Sequence, residues 1–233
     1  MEIKPFFYTC ILFVLIACNH NIIVAKNYKE KITAHKLIAI LPFNMTLNLT
    51  EAQQKILDQK DQGILRQTLS LDLQKNLYFR VLKYLKKNSI SVQVQDLEET
   101  LSRLSSNNIR FNDLHNPNKT ALLKILGVDA ILDPEMTITQ HGVSFSAIGP
   151  LFIPAAGVAI VESRNLYIDF SVSVKDLSTD TALWNYKKGD WYMAKNKVKK
   201  NKKEVSNDFL EALFLNVDDI FKAFILKSPY LKK

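Results

Sequence analysis

The chain has 233 residues, 47% hydrophobic and 23% charged, with a formal net charge of +8. Those proportions exclude a disordered or low-complexity chain and fit one domain with a proper core. Both cysteines, Cys10 and Cys18, lie at the amino-terminal end, so the rest of the chain has no thiol for a disulfide, a zinc knuckle or a nucleophile.

The first element is Phe6 to Ala17, a run without a charged side chain that suits the apolar core of a secretory signal. It falls short of the about 20 apolar residues that a spanning helix needs, and the polar Asn19-His20-Asn21 follows at once. Leu15-Ile16-Ala17-Cys18 resembles the lipobox of bacterial lipoproteins, in which a diacylglyceryl group alkylates the thiol and the signal is cut just before the cysteine. The resemblance implies a signal peptide over residues 1–17 and a lipidated Cys18. Two or more acyl chains would then hold the chain at a membrane permanently, where one holds it only marginally. Asn19 in place of an aspartate after Cys18 implies, by the same resemblance, the outer membrane. A second reading stays open, in which Cys18 is the last small residue of an ordinary signal cut near Ala25.

Residues 18–34 are polar and basic without a clear period and read as a flexible tether. Residues 35–228 read as a single periplasmic domain. Its first strand is Lys36 to Phe43, short, branched and closed by Pro42. Thr50 and Gln53 form a capping-box pattern that starts a helix at Glu51. Leu65, Leu69, Leu73 and Leu77 line one face of that helix, with Gly63 as a kink or division. Tyr78 to Leu82 reads as the second strand, closing a strand–helix–strand unit with a parallel pair. A polar helix follows over Asp96 to Leu104, with Leu97, Leu101 and Leu104 inward, and then a loop over Ser105 to Pro117. Thr120 to Leu126 is a short helix stopped by Gly127. Val128 to Leu132 and Met136 to Thr139 form the third strand, bulged at Pro134. Leu166 to Val174 alternates cleanly, with Leu166, Ile168, Phe170, Val172 and Val174 on one face. Asp176 to Thr181 turns the chain, and Ala182 to Tyr186 returns as the hairpin partner. The last element is an amphipathic helix from about Lys203 to Leu226 that covers the open face of the sheet. The fold class expected is α/β: a three-layer mixed sheet flanked by helices, with a C-terminal antiparallel hairpin and helix.

Three of these segments together resemble a known group. They are Ile38-Ala39-Ile40-Leu41-Pro42-Phe43, then Leu126 to Leu132 leading into Ile138-Thr139, then Val174-Lys175-Asp176-Leu177 with Thr181 and Leu183-Trp184. Their order and spacing are similar to those of the envelope lipoproteins related to the curli secretion channel (CsgG-like), the penicillin-binding-protein activators, and the amino-terminal domain of TolB. The resemblance covers roughly Lys36 to Tyr186, and its motifs are strand cores and turns. It implies a periplasmic three-layer domain with no cofactor that self-associates or binds an envelope partner.

Two stretches stand out as contact surfaces. Residues 143–161 form an uncharged insertion between strands, with Phe145, Ile148, Leu151, Phe152, Ile153 and Val158 as candidates for contact with a membrane or a partner. Pro150 and Pro154 argue against a helix there. The segment could equally fold under the domain as an apolar loop, or contribute to a pore. Lys195, Lys197, Lys199, Lys200, Lys202 and Lys203 form a basic patch suited to anionic lipid or a polyanionic envelope polymer, or a solvated loop. Nucleic acid is a poor match for a secreted chain. No Gly-x-Ser-x-Gly, phosphate-cradling glycine loop or His-Glu-x-x-His occurs. His20, His35, His115 and His141 lack metal-ligand spacing and read as surface or loop residues. Asp129 and Asp133 could meet at a strand end. The expectation is a noncatalytic adaptor or assembly factor without a metal. The alternative is a subunit of an oligomeric outer-membrane secretion or transport complex.

Overall fold

A computed structural model of the chain describes residues 21–114, 118–140, 164–177, 182–194, 217–218 and 220–231. The strands are β1 (Asn21–Val24), β2 (Leu37–Ile40), β3 (Asn44–Asn48), β4 (Gln93–Val94), β5 (Ala130–Gln140), β6 (Arg164–Asp176) and β7 (Trp184–Ala194). The helices are α1 (Tyr28–Ala34), α2 (Glu51–Gln54), α3 (Gln59–Lys87), α4 (Leu97–Ser106), α5 (Lys119–Leu126) and a terminal α6 seen over residues 217–218 and 220–227. The strands form one sheet in the order β1-β7-β6-β5-β2-β4, with β3 joined to β5 on the same side as β2. Around β2 the pairing is parallel, and β5, β6, β7 and β1 are antiparallel. This is the α/β mixed sheet expected.

The alternation in β6 decides where the core lies. Leu166, Ile168, Phe170, Val172 and Val174 are all 3% exposed or less. They meet α3 and α6 in a core that also holds Phe43, Trp184, Tyr186, Phe221 and Phe224. Phe170 is its hub, with ring centroids 5.8 Å from Phe221 and 6.2 Å from both Tyr186 and Phe224. On the opposite face a smaller core of Ala39, Leu41, Ile131, Leu104, Leu122, Leu123 and Leu126 packs α4 and α5 against β2 and the start of β5.

Several expected boundaries shift, each for a local reason. The segment expected as a flexible tether enters the fold at Asn21: β1 pairs antiparallel with β7 from Asn21↔Lys187 to Val24↔Trp184. Buried Ile32 then fastens α1 to the core. The helix expected from Glu51 is a single turn. A new helix begins at Gln59, where the Asp58 carboxylate accepts from the Asp61 N–H at 2.8 Å. Gly63 therefore lies inside α3 and divides nothing. Tyr78 to Leu82, expected as a strand, is the middle of α3. Tyr78, Val81 and Leu85 simply continue the buried stripe of Leu65, Leu69, Leu73 and Leu77 at helical spacing. The parallel partner of β2 is instead the two-residue β4, in register Leu37↔Gln93 and Ile38↔Val94.

The expected bulge at Pro134 is on the neighbouring chain. Between Ile40 and Asn44 that chain advances four residues, while β5 advances three between their partners Leu132 and Glu135. The Leu41 N–H donates to the Leu132 carbonyl at 3.0 Å. Alternation turns the edge of Pro134, which has no N–H, toward the same break. β5 itself stays in unbroken register with β6 from Ala130↔Asp176 to Gln140↔Leu166. Carbonyls that the break would strand accept from buried side chains of α3: Ser70 Oγ donates to Phe43 O and Gln74 Nε2 to Ile40 O, both at 2.7 Å. Leu101, expected inward on α4, is 38% exposed, while Leu104 is buried. Gly127 closes α5 with φ of 63°, the left-handed cap expected of a glycine.

Candidate functional site

Cys18, the apolar set within 143–161 and the lysine block within 195–203 all lie outside the described residues. Within them, three constellations carry chemistry.

The first surrounds His35, expected as a surface or loop residue and found in the loop that ends α1, buried between three elements. Its Nδ1 lies 2.8 Å from the Tyr230 hydroxyl and its Nε2 3.3 Å from Asp176 Oδ2. These contacts tie the end of α1 to the end of β6 and to the 3-10 turn Pro229–Leu231. Burial, then the Asp176 and Asp129 carboxylates, drive the Tyr230 phenol strongly upward in pKa. A neutral phenol both donates and accepts, so the contact with the imidazole holds whichever tautomer His35 takes. The cluster is suited to a staple.

The second is Asp133, 2% exposed, with Lys175 Nζ at 2.7 Å and Lys119 Nζ at 3.1 Å. It fastens the start of α5 to β5 and β6. Burial lowers the pKa of Lys119, and the attraction of Asp133 only partly offsets that. Asp129 takes no part, because its Oδ2 accepts from the backbone N–H groups of Lys36 at 2.7 Å and Leu37 at 2.9 Å. Those two bonds, that from Leu37 foremost and then that from Lys36, hold its carboxyl below the usual value of 3.8. The two carboxylates are thus engaged separately, and the pairing considered from sequence is not formed. Among the described residues no group of three or more His, Cys, Asp and Glu could hold a metal ion. Nor is any helix among them long and apolar enough to cross a membrane.

The third constellation opens to solvent. Two adjoining depressions of about 530 and about 490 Å³ run between the first half of α3, the start of β3 and the 3-10 turn Phe111–Asp113, sharing Gln67, Arg110 and Phe111. Pro42, Leu71, Leu101 and Leu104 supply apolar wall on one side, and Met45 and Ile64 on the other. Ile64 is 55% exposed. Lys60, Arg66 and Arg110 line the same groove. β3 runs beside it, pairing only with β5 among the described strands, with Thr46 and Asn48 exposed. Apolar wall, guanidinium groups and a free strand edge are the means by which a protein takes hold of an extended or helical segment with acidic and apolar side chains. Sequence reading missed this groove. Its residues come from α3, β3, α4 and the 3-10 turn, and only the break at Pro42 hinted that the sheet opens there.

The chain matches no family model, and no curated protein matches it. Among solved structures it is similar to the lipoprotein GNA1162 from Neisseria meningitidis, at 14% identity and a TM-score of 0.38, covering 79% of this chain and 99% of that one. It is also similar to the LpoB C-terminal domain from Salmonella enterica, at 9% identity and a TM-score of 0.33, covering 66% of this chain and 82% of that one.

Proposed function

We propose that this chain is a lipid-anchored, noncatalytic adaptor or assembly factor of the bacterial envelope, tethered through Cys18 and binding a protein partner through the groove between α3 and Phe111. The observation that carries the reading is the position of β1. A signal cut near Ala25 would remove a strand that pairs four residues with β7, together with the Ala25 N–H that donates to Leu183 O at 2.9 Å. A cut upstream of Asn21 leaves β1 whole, and the lipobox-like Leu15 to Cys18 lies just there, which supports the lipobox reading over a cut near Ala25. The buried polar clusters join elements of the fold to each other, whereas the groove faces solvent, which supports a binding role for it.

The test has two parts. Acyl labelling of the chain made in a bacterial envelope is expected to be lost in Cys18→Ser, together with retention in the membrane fraction. A photo-crosslinking residue at Arg110 is expected to capture an envelope protein, and capture is expected to fall when Ile64→Asp and Arg66→Glu are introduced. Unchanged acylation in Cys18→Ser overturns the anchor. Capture that ignores the groove substitutions overturns the binding surface, and a closed ring of this chain alone in native mass measurement favours a transport subunit.

A further inference from the structure

We infer that the domain does not stand off on a tether but rests edge-on against the bilayer, with β1 as its lipid-facing edge. The inference rests on the proposed lipidation of Cys18 and goes beyond it. Only Asn19 and His20 separate Cys18 from Asn21. Three residue steps span at most about 11 Å even when fully extended, so the acyl chains hold β1 at the height of the lipid headgroups whatever path those residues take. What the sheet presents there is unusual for a solvated edge: Ile22, Ile23 and Val24 are 36%, 69% and 45% exposed in succession. β1 is the outermost strand, with no pairing on its free side among the described strands.

An exposed aliphatic edge strand in water is an aggregation hazard that folds normally blunt with charge or proline. At a bilayer surface it is matched to its surroundings. Ile23 projects from one face and Ile22 and Val24 from the other, so an edge-on approach buries all three at the boundary of headgroups and acyl chains. The free backbone groups of β1 stay at headgroup depth, where water and lipid phosphates satisfy them, since an open edge is not tolerated in hydrocarbon. Charge agrees with this orientation. Lys26 and Lys29 follow at exposed positions and outnumber the exposed Glu30 beside them, while Lys187, level with Asn21 on the neighbouring strand, is engaged by Asp169 at 3.2 Å and is not counted. Cations at this depth attract anionic headgroups, and each is worth about fivefold in partitioning. The opposite edge, β4, stands five strand spacings away, roughly 24 Å from the bilayer at about 4.8 Å per strand.

The test uses the processed, acylated chain in vesicles of phosphatidylcholine and phosphatidylglycerol, where the alkylated Cys18 leaves an introduced cysteine as the single thiol for an environment-sensitive dye. Dye on Ile23→Cys is expected to be quenched strongly by headgroup-attached nitroxide lipids and shielded from aqueous iodide. Dye on Gln93→Cys, at the far edge, is expected to show the reverse. Lys26→Glu with Lys29→Glu is expected to weaken quenching at Ile23→Cys severalfold. Mass measurement of the acyl group is made on the same samples, which separates the two claims: a chain without acyl groups removes the anchor itself. An acylated chain with equal iodide access at both positions overturns edge-on docking and leaves the anchor intact. Shielding at Ile23→Cys that rises with protein density and ignores nitroxide lipid assigns β1 to a second copy of the chain, and overturns the inference as well.

Discussion

Successive residues of β6 meet two different environments. Leu166, Ile168, Phe170 and Val172 disappear under α3 and α6, while Tyr167, Asp169 and Ser171 between them stay half-buried on the other side. The difference lies in what covers each face. The first has a 29-residue helix and an aromatic cluster, and the second has helices of 10 and 8 residues that reach only β2 and the start of β5. One face is therefore held by apolar area, and the other by a smaller apolar core supplemented by polar fasteners, Asp133 with its two lysines foremost. A short helix buries too little apolar surface to stay down unaided.

The comparison breaks most sharply at Phe170. Replacing it with alanine removes the ring that Phe43, Tyr186, Phe221 and Phe224 share, and large aromatic truncations in a core cost about 3–5 kcal/mol. For a domain of this size a loss of about 4 kcal/mol lowers the melting temperature by about 10 °C. Tyr167→Ala, one residue away on the other face, is expected to cost about 1 kcal/mol or less. Equal losses in thermal denaturation at the two positions would show that the second face is packed over β6 as heavily as the first and that the contrast is false.

Asp133→Asn probes the thin face. It leaves Lys119, whose side chain is 11% exposed, buried beside Lys175 without the carboxylate, and breaking a buried pair in this way costs about 3 kcal/mol. Lys175 is 26% exposed and can turn to solvent, so the loss falls mainly on Lys119. The double variant Asp133→Leu with Lys119→Met is expected to recover most of it in urea denaturation, because a packed apolar pair removes the desolvation along with the attraction. A double variant no better than Asp133→Asn would locate the loss in packing rather than charge.

Gly127→Ala gives a smaller effect on the same face. At φ of 63° an added Cβ costs about 1 kcal/mol, and it would lie 2.9 Å from Arg103 Nη1, a flexible side-chain end able to move. Circular dichroism through thermal unfolding is expected to show a shift of about 3 °C. No shift would mean that α5 ends without its left-handed cap.

How far the sequence leads follows the same divide. β6 was legible because both faces obey strict alternation, and α5 because Gly127 stops it at a defined residue. The end of α3 misled because Tyr78-Phe79-Arg80-Val81-Leu82 mixes aromatic and branched residues that suit a strand locally. Its buried positions continue a helical stripe begun 13 residues earlier at Leu65. Residues 21–34 misled in the opposite sense, since four residues of edge strand carry no period of their own and acquire structure only from β7. His35 and the groove were illegible for a common reason. His35 is met by Asp176 and Tyr230, 141 and 195 residues away, and the groove joins residues from Pro42 to Leu114. Neither set has a spacing that a linear pattern records.

The smallest effect tests the seam between the two faces, where Asp129 accepts from the N–H groups of Lys36 and Leu37 and so fixes the start of β2 against the start of β5. Its carboxyl is held below the usual 3.8 in the folded chain. The unfolded chain therefore binds the proton more tightly, and stability from this group is complete above 3.8 and is lost as pH falls through the lower folded value. Asp129 is exposed, so solvent screens the interaction and the contribution is modest. Asp129→Asn keeps an acceptor oxygen and removes the charge. The urea midpoints of the two proteins are expected to differ slightly at neutral pH and to converge in acid once the native carboxylate is protonated. A gap of constant size from neutral pH into strong acid would mean that the backbone bonds respond to the shape of the side chain and not its charge, and that this seam is held in the same way as the core face.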